Sequence, residues 1–344
     1  MEHRFDAVVI GSGSAGTQAA LTLRKHGRSV ALIEERELGG TCALRGCDPK
    51  KVLVHAARVV DEAAQLHERG ILRSVPPVSW LDLMRFKRTF TQPVPEQRRT
   101  TYRDAGITVL QGEASFEDER TLLFGGDRIA TEHVVIASGA REMHVAQGDD
   151  MLLTSEAFLD LDELPESLVF AGGGYIAFEL AHIAARAGSR VTILHNDARP
   201  LAGFDADIVE RLLGFTRAAG ITVELETPVT SVEKSGAGIV IHAGKQGAQR
   251  TFEARAGVLS AGRQPDLEPL RPERANVERT KKGVKVNEFL QSVSNPRVYA
   301  AGDAADAHAL PLTPVAGYTG EITGENIAGG NSRKPDFTGL ATMV

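Results

Sequence analysis

Cys42 and Cys47 are the two cysteines of the 344-residue chain, with residues 43–46 between them. A run that favours a helix follows, and a thiol near a helix N-terminus reacts readily because its pKa is lowered. The spacing therefore favours reactive thiolates of low pKa. Two alternatives remain open at this point. A zinc site would need two further Cys or His ligands at metal-like spacing, and none is visible. The other alternative is a pair of inert thiols.

A second chemical feature is a strand–glycine turn–helix–strand unit that occurs twice. In the first copy a buried-strand pattern at 6–10 leads into the glycine turn at 11–16, and in the second the strand at 168–171 leads into the turn at 172–177. The glycines permit a tight turn and the close approach of a pyrophosphate, while the helix N-terminus supplies N–H groups and partial positive charge. One such glycine motif arises in loops by chance, but two in matching contexts predict two dinucleotide sites.

The residue that ends the second strand of each unit indicates which nucleotide binds there. In the first copy it is Glu34, a carboxylate that accepts hydrogen bonds from both ribose hydroxyls and repels a 2′-phosphate, so FAD or NAD fits. In the second copy it is His195, and His195, Asn196 and Arg199 together could surround a 2′-phosphate, with Arg199 as the main charge partner. This pattern favours NADPH over NADH, although a solvated strand end explains these three residues equally well.

The elements that must position these residues form an α/β fold with two Rossmann-like FAD/NAD(P)-binding domains, the second inserted in the first. Helices are predicted at 17–26 and 178–186, and a mostly helical segment at 50–105. Strands are predicted at 29–34, 108–110, 133–137, 190–195, 221–225 and 238–242. The predicted domains are 1–151 and 266–336 for FAD and 152–265 for NAD(P).

Composition excludes several classes of protein. The net charge of −6 argues against a nucleic-acid partner, and 42% apolar residues are sufficient for packed cores. No apolar run approaches the roughly 20 residues of a membrane span, and the N-terminus has no signal-peptide pattern. A cytoplasmic protein without a membrane partner is expected, and two cysteines in that compartment favour catalysis or metal binding over a structural disulfide.

The segment 38–51 resembles the Gly-Gly-Thr-Cys-(four residues)-Gly-Cys-x-Pro signature of class I pyridine nucleotide-disulfide oxidoreductases, which include glutathione reductase, lipoamide dehydrogenase and mercuric reductase. Four further segments resemble other signatures of that family in the same order. They are the Ala-Thr-Gly segment at 135–140, the nicotinamide fingerprint at 172–179, the segment closing that domain at 261–265, and the second FAD-binding stretch at 298–303 and 312–316.

This resemblance implies a site for each cofactor and a role for each cysteine. Cys47 is implied as the thiol against the flavin and Cys42 as the interchange thiol that meets the substrate. Lys50 or Lys51 would pair with Glu179 beside the flavin, and the sequence does not decide between the two lysines. The residues implied in FAD binding are Gly11, Gly13, Ser14, Ala15, Gly16, Glu34, Gly40, Thr41, Ala114, Ser138, Gly139, Asp303 and Thr313. Those assigned to the nicotinamide nucleotide are Gly172, Gly174, Tyr175, Ile176, His195, Asn196, Arg199, Gly262 and Arg263.

The implied activity passes electrons from NAD(P)H through FAD to the Cys42–Cys47 disulfide and on to a small-molecule or protein disulfide. The alternatives are a flavoprotein reductase of a quinone, oxygen or a metal ion, and an FAD-binding fragment that is inactive alone. The segment 337–344 resembles the first strand of the family's C-terminal dimerisation domain. We therefore expect a truncated chain that is monomeric or weakly associated, a homodimer for the full-length form, and slow disulfide turnover without that domain's His-Glu pair.

Overall fold

The computed structural model describes residues 2–245 and 247–343. Two compact units share the chain. Unit 1 contains the chain up to Leu44, Gln92–Arg141 and Arg263–Met343, and unit 2 contains Arg45–Thr91 and Glu142–Gly262. Positions 1, 246 and 344 of the predicted domains lie outside the described residues.

Helices and strands are numbered separately in chain order. The α-helices are α1 (Ser14–Lys25), α2 (Gly40–Arg45), α3 (Cys47–Glu68), α4 (Trp80–Thr91), α5 (Val94–Asp104), α6 (Ser155–Phe158), α7 (Tyr175–Arg186), α8 (Ala206–Ala218) and α9 (Thr313–Gly329). Short 3-10 turns lie at Asp149–Met151, Pro272–Ala275 and Gly302–Ala304.

The strands of the first half are β1 (Glu2–Ile10), β2 (Val30–Glu34), β3 (Thr108–Gln111), β4 (Ala114–Phe116), β5 (Thr121–Phe124), β6 (Asp127–Ile136), β7 (Ala140–Glu142), β8 (Ser167–Ala171) and β9 (Arg190–Leu194). Those of the second half are β10 (Thr222–Glu224), β11 (Val229–Ser235), β12 (Gly238–Lys245), β13 (Ala248–Ala254), β14 (Ala256–Leu259), β15 (Arg263–Pro265), β16 (Arg279–Thr280), β17 (Gly283–Lys285), β18 (Val298–Ala300) and β19 (Ala305–Asp306).

The main sheet of unit 1 has the order β3-β2-β1-β6-β5-β4, with β18 also paired to β6. β1 lies parallel between β2 and β6, so Ala7 is opposite both Val30 and His133. The Ala-Val-Val-Ile run of β1 is buried on both faces, as expected for a central parallel strand. The carboxyl ends of β1, β2 and β6 consequently lie at one edge of this sheet, where a nucleotide binds in such folds.

α1 and α9 pack closely because the residues between them are small. A Cβ at Gly320 would overlap the backbone carbonyl oxygen of Ala15, and one at Gly324 would lie 2.8 Å from the side chain of Thr22. This close packing fixes the start of α1, the helix that follows the first glycine turn.

Unit 2 contains a parallel sheet of order β10-β9-β8-β14 and an antiparallel sheet of order β11-β12-β13. Phe158 and Phe170 are completely buried in its core, and Trp80 of α4 meets Phe158 edge to face at 5.9 Å between ring centroids. α3, α4 and α7 all contribute to this core, so the helix that begins at Cys47 is anchored by apolar packing.

Both helices of the repeated unit begin one turn earlier than predicted. The sequence predicted starts at residues 17 and 178, whereas α1 begins at Ser14 and α7 at Tyr175. The reason is that only Gly11 (φ +99°) and Gly172 (φ +117°) make the sharp turn, after which Gly13 and Gly174 already act as N-caps. The predicted helical segment 50–105 is three helices, α3 to α5.

At the other end of the chain, residues 338–339 form a turn and 337–343 contain no strand. The strand predicted there needs a partner strand for its hydrogen bonds. Within residues 2–245 and 247–343, no helix combines the length and apolarity needed to span a bilayer.

Candidate functional site

The first glycine turn forms a cradle in which side chains are excluded. A Cβ at Gly11 would overlap the carbonyl oxygen of Ala137, one at Gly16 would overlap that of Gly11, and one at Gly40 would overlap Cα of Gly13. No side chain caps α1, whereas the Asp205 carboxylate caps α8. The first N–H groups of α1 have no intrahelical partner, so this helix end can bind an anionic group.

Glu34, at the end of β2, is buried and held in one orientation. Its Oε2 accepts hydrogen bonds from the backbone N–H of Ser12 (2.8 Å) and from the Ser12 hydroxyl (2.6 Å). Its Oε1 accepts one from the N–H of Arg36 (2.9 Å). The Ser12 hydroxyl in turn accepts the N–H of Gly39 at 2.9 Å. The carboxylate that is predicted to bind the ribose is therefore held in place by hydrogen bonds from neighbouring residues of the protein.

The other predicted FAD residues of unit 1 follow its strands or begin its helices. Ser14 and Ala15 open α1, Thr41 lies in α2, and Thr313 is the first residue of α9. Ser138 and Gly139 follow β6, where the Ser138 hydroxyl donates to the carbonyl of Asp266 (2.6 Å). Ala114 begins β4 and is buried in the core.

Asp303, predicted to bind the ribityl chain, lies in the turn Gly302–Ala304 of unit 1. Burial raises the pKa of this carboxyl, and the positive charge of Arg263 partly opposes that shift. A desolvated carboxyl gains from a hydroxyl donor, which a ribityl chain supplies.

The two cysteines lie on either side of a junction between helices. Cys42 is in the short helix α2, and Cys47 is the first residue of the 22-residue α3; both are half-buried. Gly46 precedes α3 without a side-chain cap. A thiolate at the first position of a long helix is stabilised by the helix dipole.

The structure decides between the two candidate lysines. Lys50 Nζ lies 2.6 and 2.7 Å from the two carboxylate oxygens of Glu179 in α7, and both side chains are mostly buried, 23% and 18% exposed. Lys51 is exposed. Lys50 follows Cys47 by three residues on α3, so the charge pair and the cysteine lie on one face of the helix.

Two further polar contacts hold this part of unit 2. Arg45, two residues before Cys47, pairs with Glu156 of α6 (Nε to Oε2, 3.5 Å), and both are largely buried. Farther along α3, Arg186 of α7 donates to Oδ1 of Asp61 at 2.7 Å. Neither pair belongs to one of the sequence motifs that carry the family resemblance.

His182 of α7 completes the second contact. Arg186 can only donate, so Nδ1 of His182 accepts its hydrogen bond (2.7 Å), and Nε2 donates to the Thr216 hydroxyl (2.9 Å). Burial, followed by the nearby charge of Arg186, lowers the pKa of His182 from 6.5 to about 4. This histidine is therefore neutral at pH 7, and its role is structural.

The second glycine turn repeats the design in unit 2. A Cβ at Gly172 would overlap the carbonyl oxygen of Ser260, and one at Gly173 would lie 2.9 Å from the His195 ring. α7 begins at Tyr175, which is 46% exposed, followed by the half-buried Ile176. The N-cap of α7 is Gly174, which has no side chain to cap the helix. The first N–H groups of α7 can therefore also bind an anion.

The predicted 2′-phosphate residues are held within their own loop. His195 Nε2 donates to the carbonyl of Arg199 (3.1 Å), and Arg199 donates to the carbonyls of Ala202 (3.1 Å) and Phe204 (2.9 Å). Asn196 and Arg199 are exposed. His195 and Arg199 are in contact within this loop, and the selection of NADPH by the three residues stays a prediction.

Gly262 and Arg263, the last of the nicotinamide candidates, are assigned to different units. In unit 2 the carbonyl of Gly262 accepts the N–H of Met143 (3.0 Å), and in unit 1 Arg263 donates to the carbonyl of Ala140. Within the described part of the chain, no group of three His, Cys, Asp or Glu side chains could hold a metal ion.

Comparison with known proteins places this architecture. The family model described as pyridine nucleotide-disulphide oxidoreductase matches residues 5–320, and the chain belongs to that family. It is 32% identical over 346 residues to a mercuric reductase of Staphylococcus aureus, covering 97% of this chain and 61% of the relative. It is 31% identical over 333 residues to a glutathione reductase of Burkholderia cepacia, covering 96% and 73% respectively.

A solved structure supports the same assignment. The HOCl-induced flavoprotein disulfide reductase RclA from Escherichia coli superposes with a TM-score of 0.82 at 28% identity, covering 96% of this chain and 72% of RclA. The expected membership and fold class are thereby confirmed. Proteins of this family use FAD and NAD(P)H, and the glycine cradle, the fixed acid Glu34 and the buried Asp303 of unit 1 fit FAD.

Proposed function

We propose that this protein is a FAD-dependent NAD(P)H:disulfide oxidoreductase in which Cys42 and Cys47 form the redox pair. The observation that carries the proposal is the Lys50–Glu179 ion pair. It sets a mostly buried cation one helical turn after Cys47, the cysteine at the start of α3. When bound, FAD carries two electrons from the nicotinamide to the cysteine pair.

Lys50 would favour negative charge where electrons arrive, since a buried cation stabilises a nearby anion more strongly than one in water. Glu179 holds the ammonium in place through both carboxylate oxygens. Tyr175, one turn before Glu179 on α7 and partly exposed, is proposed to cover the flavin and to move aside when the nicotinamide binds.

The thiol half of the reaction is proposed to proceed by two exchanges. The Cys42 thiolate attacks one sulfur of the substrate disulfide, forms a mixed disulfide and releases one thiolate, which takes a proton. The Cys47 thiolate then attacks the Cys42 sulfur, releases the second thiol and closes the Cys42–Cys47 disulfide. Two electrons from one NAD(P)H reopen it.

Anaerobic titration tests this function. The purified chain should bind FAD, and NADPH should reduce it and add two thiols detectable by alkylation. Comparing NADPH with NADH tests the predicted preference for NADPH. Reduction of the bound FAD without the appearance of two thiols would contradict the redox role of the cysteines.

Substrate reduction after alkylation separates the proposal from its alternative. If alkylated protein no longer reduces a disulfide, the cysteines carry the reaction. If it still reduces a quinone, oxygen or a metal ion at an unchanged rate, the acceptor is not a disulfide. A cytoplasmic location and a disulfide as the substrate are parts of the same proposal.

A further inference from the structure

Ser12, between the first two glycines of the FAD turn, uses every polar group it has. The side chain is completely buried. Its N–H and hydroxyl both donate to Oε2 of Glu34, its hydroxyl accepts the N–H of Gly39, and its carbonyl accepts the Thr17 hydroxyl at 3.0 Å. A residue that only had to permit a tight turn would need none of these side-chain contacts.

We propose that Ser12 is a positioning residue that leaves Glu34 able to accept from one ribose hydroxyl only and ties this acid to the turn preceding Cys42. The inference rests on the proposed function, since it concerns the ribose of FAD. It adds a residue that the glycine motif and the acid do not specify.

Glu34 has a limited number of acceptor sites for hydrogen bonds. A carboxylate offers about four lone-pair sites, two on each oxygen. Ser12 fills both sites on Oε2, and the N–H of Arg36 fills one on Oε1. One site on Oε1 is left for the cofactor. The sequence-based expectation that Glu34 accepts from both hydroxyls is therefore replaced by a single contact.

The turn before Cys42 is formed by two glycines, and the Ser12 hydroxyl contacts the first of them. Gly39 has φ +136° and Gly40 has φ +72°, backbone conformations that residues with a side chain rarely adopt. A Cβ at Gly39 would also lie 2.8 Å from Val94. Glycines offer no side chain to anchor a turn, so the hydrogen bond from the Gly39 N–H to the Ser12 hydroxyl holds it. The same hydroxyl thus joins the ribose acid to the segment that carries the interchange cysteine.

Deoxyribose analogues of FAD test the count on the unmodified protein. FAD analogues lacking either the 2′- or the 3′-hydroxyl of the adenosine ribose are titrated into the apoprotein by fluorescence. We expect one analogue to bind about 10- to 100-fold more weakly than FAD, as for loss of a hydrogen bond to a charged acceptor. The other should bind like FAD. Equal losses for both analogues, or no loss for either, would overturn the proposal.

Ser12→Ala tests the positioning role, with Thr17→Val as the matched control. Thr17 shares the same buried network and its hydroxyl does not contact Glu34. Ser12→Ala should weaken FAD binding about 10- to 100-fold. It should weaken the binding of an analogue lacking both ribose hydroxyls less than it weakens the binding of FAD, because that analogue does not use Glu34. Thr17→Val should change the affinity for FAD and the affinity for that analogue by the same factor.

Hydrogen exchange gives a readout that does not need FAD. In the apoprotein, the Gly39 amide should exchange faster in Ser12→Ala and at the unmodified rate in Thr17→Val. Equal loss of affinity for FAD and for the dihydroxyl-lacking analogue would assign Ser12 a purely structural role and reject the proposal. Failure of the unmodified protein to bind FAD would reject the proposed function itself.

Discussion

Lys50 and Glu179 form an ion pair that joins α3 to α7, with both carboxylate oxygens within 2.7 Å of the ammonium. They are 129 residues apart in the sequence, yet each lies near the N-terminus of its helix, close to Cys47 and to Tyr175. The pair therefore connects the helix that begins at Cys47 with the helix that follows the second glycine turn, within one unit.

Lys50→Gln should impair reduction of the bound FAD far more than Lys51→Gln. The first change removes a cation from a mostly buried pair, and loss of one such electrostatic contact slows catalysis by about a hundredfold. The second changes an exposed lysine and should leave the rate within about twofold. Stopped-flow reduction by NADPH measures both. Equal rates for the two variants would remove the proposed role of the ion pair.

The sequence predicted the repeated strand–glycine turn–helix unit and the position of Glu34 at the end of β2, because both follow from local spacing. It could not choose between Lys50 and Lys51, since both lie within one helical turn of Cys47. The rotation of α3 decides between them. Leu53 and Ala57 are buried in the core, and at three and seven positions beyond Lys50 they share its face, which leaves Lys51 in solvent.

Contacts between distant segments were missed for a similar reason. Arg45 beside the cysteines gave no signal that its partner is Glu156, because their meeting depends on how α6 packs. The Ser12 hydroxyl was missed because the glycine motif accepts any small residue there. Its contacts with Glu34 and Gly39 arise only once β1 and β2 pair in register.

His182 should make the stability of the protein depend on pH below neutrality. Its pKa is about 4 in the folded protein and 6.5 when unperturbed, so the unfolded chain binds more protons between these values. Its contribution is therefore complete above pH 6.5 and is lost as the pH falls towards 4, at roughly 1.4 kcal/mol per pH unit.

Comparison with His182→Gln isolates this effect from other titrating groups. Urea unfolding at several pH values between 4 and 7 should give a shallower pH dependence for the variant. The difference in unfolding free energy between the two proteins should be constant above pH 6.5 and should change with pH below it. Parallel curves throughout this range would show that His182 does not titrate there.

Gly320→Ala should destabilise unit 1, because a methyl group there meets the backbone of Ala15. Because the backbone cannot move aside as a flexible side chain can, we expect the overpacking to lower the free energy of unfolding by about 1–3 kcal/mol. Gly329→Ala on the same helix is the control. Nothing lies within 4 Å of a Cβ at Gly329, and alanine favours the helix by up to about 1 kcal/mol. Thermal unfolding should therefore shift down for the first and remain equal or rise for the second; a reversed order would contradict the packing argument.

Arg45 and Glu156 should set the reactivity of the cysteine pair in opposite directions. Glu156→Gln removes a negative charge paired with the Arg45 cation, two residues from Cys47, which favours the thiolate and lowers its pKa. Arg45→Gln removes that cation and raises the thiol pKa.

Mass-spectrometric rates of alkylation in the reduced protein, measured from pH 5 to 9, should therefore shift to lower pH for Glu156→Gln and to higher pH for Arg45→Gln. Glu163→Gln changes an exposed acid and should leave the profile unchanged. Shifts in the same direction for the two variants would mean that they act through unfolding of the segment, because only a charge effect reverses its sign between the partners of one ion pair.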